Sequence, residues 1–215
     1  MPYTLIYCYD PMCSWCWGFK PTWARLKQQL APLIEQGTLT IEYRTGGLAP
    51  DNDQPMPVEM QSKLQSVWSA IQQQLGTEFN FDFWQQCQPR RSTYPACRAC
   101  MVARQFDQEE AMISQIQQAY YLQAKNPSDL DTLTQCATDI GIAADVFSER
   151  MQAIEQHQLL EQEVQQARQL GLNSFPSLAL HNHQQIASIN IDYQNPDSMM
   201  QQIEHAMAAL AAEQN

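Results

Sequence analysis

The two ends of this 215-residue chain combine strand and helix patterns, and a long, purely helical stretch separates them. Residues 3–9 (YTLIYCY) are rich in aromatic and β-branched side chains, which predicts a buried strand. Apolar residues then recur every three or four positions through residues 19–33, as in a helix, and Leu39, Ile41 and Tyr43 alternate with polar residues, as in a strand. Strand, helix and strand in this order favour a parallel pair joined by a crossover helix.

The middle of the chain has a different composition and period. Glycine, proline, aspartate and asparagine are concentrated in residues 46–57, which predicts a loop that leaves the first unit. From there to about residue 171 the apolar spacing is helical and predicts five or six helices. Two short apolar runs on either side of Asn182 then predict a β-hairpin, and Asn195 followed by Pro196 predicts the start of a final helix.

A pair of cysteines, Cys13 and Cys16, lies where the first strand gives way to the first helix. A zinc ribbon would need a second such pair about 15–20 residues away on a hairpin turn. The second pair, Cys97 and Cys100, lies roughly 80 residues away within a predicted helix, so we expect no metal site. We favour buried packing for this pair, with a regulatory bridge or an auxiliary electron relay left open. A structural disulfide across so short a loop would remove little unfolded-state entropy, and the first pair is therefore interpreted as a redox dithiol.

The roles of the two thiols follow from their places on the helix. Cys13 would lie at the helix start, where unpaired N–H groups and the helix dipole favour the thiolate. Cys16, three residues further on, would be within reach of Cys13 but deeper in the fold. We therefore expect Cys13 to attack a disulfide and Cys16 to resolve the mixed disulfide, and this chemistry needs no cofactor.

Charge and hydropathy exclude some classes of partner. The formal net charge of −11 and the pI of about 4.6 argue against a nucleic-acid partner, because phosphate binding needs clustered Lys and Arg. No run of eighteen apolar residues predicts a membrane span, and the amino terminus lacks the pattern of a secretory signal peptide. We therefore expect a cytoplasmic protein with no membrane partner, while the oligomeric state stays open.

Two motifs carry a resemblance to a known family. They are the run from Asp10 to Phe19 (DPMCSWCWGF) and the late segment from Ser174 to Ser177 (SFPS). Together with the element order, they resemble the DsbA-like thioredoxin-fold oxidoreductases, including the FrnE-type cytosolic branch. The resemblance implies an α/β, thioredoxin-like fold with a helical domain inserted between its two halves. The thioredoxin-like domain would comprise residues 1–50 and 171–215, and the helical insertion residues 51–170.

The resemblance also implies a function and a set of site residues. Cys13 and Cys16 would be catalytic, exchanging disulfides with protein or peptide thiols, with glutathione as a possible thiol partner. A cis Pro176 would pack against the dithiol, and Phe175 beside it would line the substrate groove. Ser14 and Trp15 would contact the substrate and tune the thiolate. Because they replace the Pro-His of strongly oxidising periplasmic relatives, we expect a less oxidising couple.

Two other functions remain open on the sequence. The kappa glutathione transferases and the 2-hydroxychromene-2-carboxylate isomerases share this fold with its helical insertion. They commonly carry Ser at the position of Cys13, so the cysteine here favours redox chemistry. The third possibility is a non-catalytic, peptide-binding module that has kept the fold.

Overall fold

The computed structural model describes residues 3–182 and 185–212, and its strands and helices follow one another in the predicted order. In chain order the strands and helices are β1 (Tyr3–Tyr9), α1 (Ser14–Glu35), β2 (Leu39–Thr45), α2 (Val58–Leu75), α3 (Phe83–Gln86), α4 (Tyr94–Arg104), α5 (Glu109–Tyr121), α6 (Leu130–Asp139), α7 (Ala144–Gln156), α8 (Leu159–Gln169), β3 (Ser177–His181), β4 (Ile186–Ile189) and α9 (Pro196–Ala212).

The four strands form one sheet in the order β2-β1-β3-β4. β1 pairs in parallel with β2, as predicted, and antiparallel with β3. β3 and β4 form the predicted hairpin, although its residues 183 and 184 lie outside the described part of the chain. In the β1–β3 register Cys8 lies opposite Ser177, so the segment before β3 comes close to the end of β1. The loop from β1 to α1 leaves the sheet at the same point, which brings the two motifs together.

Helix α1 covers the sheet with the predicted apolar stripe. Phe19, Leu26 and Leu30 have no exposed surface, and Trp23 is buried beside them. The helix ends before Gly37, whose positive φ of 69° is a conformation that glycine adopts without strain. The stripe therefore fixes which face of α1 is buried, and with it the direction in which the first turn points.

Helices α2 to α8 all lie between β2 and β3 in the chain. Six of them have ten residues or more, in agreement with the five or six predicted, and α3 is additional. A four-residue helix is too short to give a periodic pattern, which explains why it was missed. The thioredoxin-like fold with a helical insertion is thus confirmed. The domain boundaries, between residues 50 and 51 and between residues 170 and 171, stay a prediction. Residues 1, 2 and 213–215, at the two ends of the predicted thioredoxin-like domain, lie outside the described part of the chain.

A buried ionic network connects the helices to the sheet. Arg104, at the end of α4, bonds to Glu109 at 2.7 Å and to Glu163 of α8 at 2.6 Å. Glu109 accepts a hydrogen bond from the Tyr9 hydroxyl at 2.8 Å, and Glu163 accepts one from the Thr45 amide at 2.6 Å. Tyr9 and Thr45 are the last residues of β1 and β2. The network therefore supports the edge of the sheet from which the cysteine loop departs.

None of the helices in the described ranges has the length and hydropathy needed to cross a membrane.

Candidate active site

Cys13 occupies the N-cap of α1, in the predicted place at the start of the helix. Its amide donates to the Asp10 carbonyl at 3.0 Å, and its carbonyl accepts from the Trp17 amide at 3.1 Å. No acidic residue lies in the first helical turn. The positive end of the helix dipole and the free N–H groups of that turn therefore lie at the end of α1 that carries Cys13.

The late SFPS segment lies against the Cys13 sulfur. The Phe175–Pro176 peptide bond is cis, as the resemblance implied, and Pro176 is buried. The Cys13 thiol donates to the Phe175 carbonyl oxygen at 3.3 Å. The segment that contains Phe175 therefore lies beside the Cys13 sulfur, although the two residues are 162 positions apart in the chain.

The Phe175 ring is held in place by packing on its other side. It lies so close to Gly46 that a Cβ atom there would be 1.8 Å from the ring, so only glycine fits. The Arg168 guanidinium lies 5.1 Å from the ring centroid and donates to the Gly46 carbonyl at 3.0 Å. Phe175 remains half-buried and also lines the groove beside Cys13. It therefore contributes to both core packing and the groove surface.

Cys16 lies behind Cys13 and is less accessible. Its exposed fraction is 1%, against 7% for Cys13. Burial raises the pKa of the Cys16 thiol well above its ordinary value, and the hydrogen bond with Cys13 and the charge on Cys13 add to this effect. At neutral pH Cys16 is therefore a protonated thiol within hydrogen-bonding reach of Cys13.

Ser14 and Trp15, between the cysteines, have different surroundings. Ser14 is buried, and its hydroxyl accepts a hydrogen bond from the indole N–H of Trp68 at 2.9 Å. Trp15 is half-buried, with its ring centroid 5.0 Å from that of Tyr193. Both residues line the groove beside Cys13. The hydrogen bond from Trp68 joins α2 to α1 through the Ser14 hydroxyl. Trp15, in contrast, presents an apolar surface.

The carboxylate of Asp10 holds the loop that precedes Cys13. This side chain has no exposed surface, and it accepts hydrogen bonds from the Met12 amide at 2.8 Å and the Leu48 amide at 2.7 Å. The Thr93 hydroxyl donates to it at 2.6 Å and the Cys97 thiol at 3.5 Å. Burial raises the pKa of Asp10, although these donors act against the rise. One buried carboxyl group thus joins β1, the loop after β2 and the start of α4 beneath the site.

The helical insertion supplies contacts that the sequence did not reveal. Trp68 bonds to Ser14, and the Tyr121 hydroxyl donates to the Met12 carbonyl at 2.8 Å. The Tyr121 ring stacks on Trp17 with centroids 5.6 Å apart. Trp68 and Tyr121 stand in ordinary apolar positions of helical stripes, so no local pattern distinguishes them from core residues.

A groove of about 390 Å³ opens beside Cys13 between the two parts of the chain. We call this the Cys13 groove, and its lining consists of Met12, Cys13, Ser14, Trp15, Leu48, Met56, Met60, Lys63, Leu64, Val67, Arg90, Arg91, Thr93, Tyr120, Asn173, Ser174 and Phe175. Its floor is largely apolar. Its charged members are three cations, Lys63, Arg90 and Arg91, with no Asp or Glu among the lining residues. The groove is therefore locally positive in a chain whose net charge is −11.

The five other cysteines are absent from the lining of the Cys13 groove. Cys97 and Cys100 are completely buried in α4, in agreement with the packing interpretation, and Cys8 and Cys136 are buried as well. Cys87 is half-buried, and its thiol donates to the Ala124 carbonyl at 2.9 Å. Within residues 3–182 and 185–212, His, Cys, Asp and Glu do not gather in threes that could hold a metal ion.

Comparison with known proteins decides the family. The model of the DSBA-like thioredoxin domain matches residues 4–209, nearly the whole chain. The chain belongs to this family. The match confirms the family that the two motifs indicated. None of the curated proteins gives a significant match to this DSBA-like chain.

Solved structures agree with this assignment at the level of the fold. A "putative protein disulfide isomerase" from Nitrosomonas europaea is 25% identical, with a TM-score of 0.82 over 97% of this DSBA-like chain and 99% of the other. The cytosolic disulfide reductase DsbM from Pseudomonas aeruginosa is 24% identical, with a TM-score of 0.72 over 96% and 99%. A 2-hydroxychromene-2-carboxylate isomerase is 13% identical, with a TM-score of 0.57 over 98% and 97%.

Proposed function

We propose that this protein is a thiol–disulfide oxidoreductase that acts through Cys13 and Cys16. The family assignment supports such an activity in general terms. The observation that carries the proposal for these residues is the pairing of a Cys13 sulfur at the start of α1, bonded to the Phe175 carbonyl, with a buried Cys16 behind it. Cys13 can therefore meet a substrate in the groove, and Cys16 remains buried until the second step.

The exchange proceeds in two steps when the protein acts as a reductant. The Cys13 thiolate attacks one sulfur of a substrate disulfide, forming a mixed disulfide, and the other substrate sulfur leaves and takes a proton. The Cys16 sulfur, once deprotonated, then attacks the Cys13 sulfur. The second substrate thiol is released, two electrons have moved to the substrate, and Cys13 and Cys16 are joined. Two external thiols restore the dithiol by the reverse sequence.

The chain's own residues position the substrate for this exchange. The Cys13 groove offers apolar surface from Met12 and Trp15, on which an extended peptide can lie. The half-buried Phe175 borders the sulfur. These contacts favour a substrate with a flexible, partly apolar chain around its disulfide.

The proposed activity is tested by catalysis with a protein disulfide. Insulin or a disulfide-bonded peptide is supplied with glutathione, NADPH and glutathione reductase, and the oxidation of NADPH is followed. We expect a rate proportional to the concentration of this protein and well above the uncatalysed exchange. Binding of the peptide with no acceleration would instead support the non-catalytic, peptide-binding function.

Glutathione is the external thiol that we propose for the regeneration step. Lys63 and Arg91 line the Cys13 groove and have no ion-pair partner in the described part of the chain. Arg90, in contrast, already bonds to Asp129. Two free cations beside a nucleophilic thiol suit a small peptide that carries two carboxylates. A structure of the DsbM reductase has been described with GSH, which supports the same choice.

Removal of these two cations should weaken the use of glutathione. In the double variant Lys63→Ala/Arg91→Ala we expect KM for glutathione to rise by roughly fivefold to tenfold, because each exposed ionic contact contributes at most about 1 kcal/mol. The rise should be smaller at high salt. The matched control is Lys125→Ala, an exposed lysine outside the groove lining, which should leave KM unchanged. An unchanged KM in the double variant would exclude this role of the cations.

A glutathione-dependent isomerase or transferase is the second candidate. The isomerase structure shares the fold with this chain. Such enzymes commonly carry Ser at the position of Cys13, so they do not depend on a dithiol there. A chain that keeps full activity towards its substrate after Cys16→Ser would fit this candidate and contradict a dithiol mechanism.

We propose a cytoplasmic location for the protein. The supporting observation is the description of the similar DsbM reductase as cytosolic. In that compartment the thiol pool is reduced, so the proposed direction is reduction of substrates at the expense of glutathione.

A further inference from the structure

One face of α2 forms a wall of the Cys13 groove. Met60, Lys63, Leu64 and Val67 recur at the three- and four-residue spacing of a single helix face, and all four line the groove. Three of these side chains are apolar, and the fourth carries a positive charge. A substrate that covers this wall therefore meets apolar surface and a cation together.

Arg91 adds a second cation, which has no hydrogen-bond acceptor among the described residues. Its half-buried side chain belongs to the segment between α3 and α4 and lines the groove. Burial raises the pKa of Tyr120, another lining residue, and the charge of Arg91 acts against this rise, so Arg91 lies near a buried ring. A guanidinium group can hold a carboxylate by two parallel hydrogen bonds. Arg91 therefore suits a carboxylate that enters the groove.

The other charged groups around the groove leave these two cations available. Arg90 bonds to Asp129, and it donates to the Ser128 carbonyl at 2.8 Å. Glu59 lies one helical turn before Lys63, but within the described chain it forms no ion pair with that lysine, and it does not line the groove. An external anion therefore meets no competing carboxylate at Lys63 or Arg91.

The apolar part of the lining indicates an occupant larger than glutathione. Leu48 and Met56 continue the apolar surface beyond α2, and Leu48 is 38% exposed. Glutathione is a small polar tripeptide with few apolar atoms to cover such a surface. Methionine side chains are flexible and polarisable, so they adapt to different apolar partners. The groove therefore suits a longer chain that offers apolar and acidic side chains together.

We propose that the Cys13 groove selects protein segments in which acidic residues flank the cysteine of the disulfide, and that Lys63 and Arg91 bind their carboxylates. This inference rests on the proposed function and names the substrate class of the same site. Apolar side chains of the segment lie on Met56 and the α2 wall. The acidic segment and glutathione use the two cations in turn, because the substrate leaves before glutathione attacks the Cys13–Cys16 bond.

The proposed preference opposes the charge of the whole molecule. The net charge of −11 repels an acidic segment at a distance, whereas two cations attract it in close contact. At about 0.15 M salt the Debye length is about 8 Å, so the distant repulsion is largely screened. Rates measured at this ionic strength therefore report the contacts in the groove.

The preference can be measured with three peptides that differ only in the residues on both sides of a single cysteine, which are glutamate, glutamine or lysine. Each peptide is joined through its cysteine to thionitrobenzoate. The Cys13 thiolate attacks the peptide sulfur, a disulfide between Cys13 and the peptide forms, and the bond to thionitrobenzoate breaks and releases a coloured thiolate. All proteins carry Cys87→Ser, so that the half-buried Cys87 contributes no colour.

We expect the second-order rate constant to be roughly threefold to tenfold higher for the glutamate peptide than for the glutamine peptide, and lowest for the lysine peptide. In Arg91→Glu the order should invert, so that the lysine peptide reacts faster than the glutamate peptide and faster than it does with the parent protein. Damage to the fold cannot cause such a gain. Lys63→Glu, at an exposed position of α2, should shift the rates in the same direction.

Arg150→Glu is the matched control, because it makes the same change of charge at an exposed residue of α7 outside the groove lining. It should keep the order of rates found in the parent protein. Equal rates for the three peptides in the parent protein, or an unchanged order in both Arg91→Glu and Lys63→Glu, would overturn the inference, while the release of colour would still support the proposed function. Absence of Cys13-dependent colour release with the glutamine peptide would instead contradict the proposed function itself.

Discussion

Cys13→Ser is expected to abolish disulfide exchange, with a loss of at least about a thousandfold in the rate of insulin reduction. The serine hydroxyl has a similar size but does not ionise at neutral pH, so the nucleophile is lost while the fold is kept. Cys16→Ser should behave differently, because Cys13 can still attack. In that variant we expect the mixed disulfide to accumulate and turnover to fall, since the resolving thiol is missing.

Cys87→Ser provides the matched control for both variants. Cys87 is the half-buried thiol outside the site, so it is the alternative nucleophile that a reagent would meet first. We expect Cys87→Ser to keep full activity. Retention of activity in Cys13→Ser, together with its loss in Cys87→Ser, would show that Cys87 is the nucleophile. That result would contradict the proposed mechanism.

Arg104→Ala is expected to lower the free energy of unfolding by about 3 kcal/mol. The change leaves two nearly buried carboxylates, Glu109 and Glu163, without their shared cation. The loss lies at the lower end of the usual range because the Arg104 side chain is 35% exposed and water can partly replace it. A typical domain has only about 5–15 kcal/mol of stability, so the loss should be plain in urea unfolding.

The pH dependence of that loss has a definite sign. Burial raises the pKa of both carboxyl groups, and Arg104 acts to lower both, so that the pKa of Glu163 ends below its usual value while that of Glu109 remains above it. A cation stabilises only the ionised form of its partner. The difference between the parent protein and Arg104→Ala should therefore be largest near neutral pH and should shrink as acid protonates the carboxylates.

A pair with an exposed carboxylate provides the comparison for Arg104. Arg44, whose side chain is 22% exposed, bonds to Glu42 and donates to Gln166 at 2.7 Å. Because Glu42 is 41% exposed, water can replace the lost cation, and Arg44→Ala should cost no more than about 1 kcal/mol. Equal and small losses in Arg44→Ala and Arg104→Ala would mean that the buried network does not hold the helices to the sheet.

Most of the architecture was predictable because it depends on local periodicity. β1 ends at Tyr9 and α1 begins beside Cys13, as the apolar spacing indicated, and Gly37 ends that helix. The cis peptide at Pro176 came from the family resemblance alone, since periodicity carries no information about peptide isomers. The short α3 escaped prediction because four residues give no period.

The long-range contacts of the site were not predictable from the sequence. Trp68 reaches Ser14 across 54 positions, and Tyr121 reaches Met12 across 109. Asp10 was part of a quoted motif, but its partners Leu48 and Thr93 come from later segments that no local pattern connects to it. These contacts depend on how the helical insertion packs over the cysteine loop, which is decided by tertiary structure.

The central claim is that Cys13 forms the covalent bond with the substrate and Cys16 releases it. The most direct test incubates Cys16→Ser with oxidised glutathione or a peptide disulfide, quenches in acid and maps the adduct by mass spectrometry. We expect the added mass on the peptide that contains Cys13, and in the parent protein a Cys13–Cys16 disulfide in place of the adduct. An adduct on Cys87 or another cysteine, or no adduct at all, would contradict the claim.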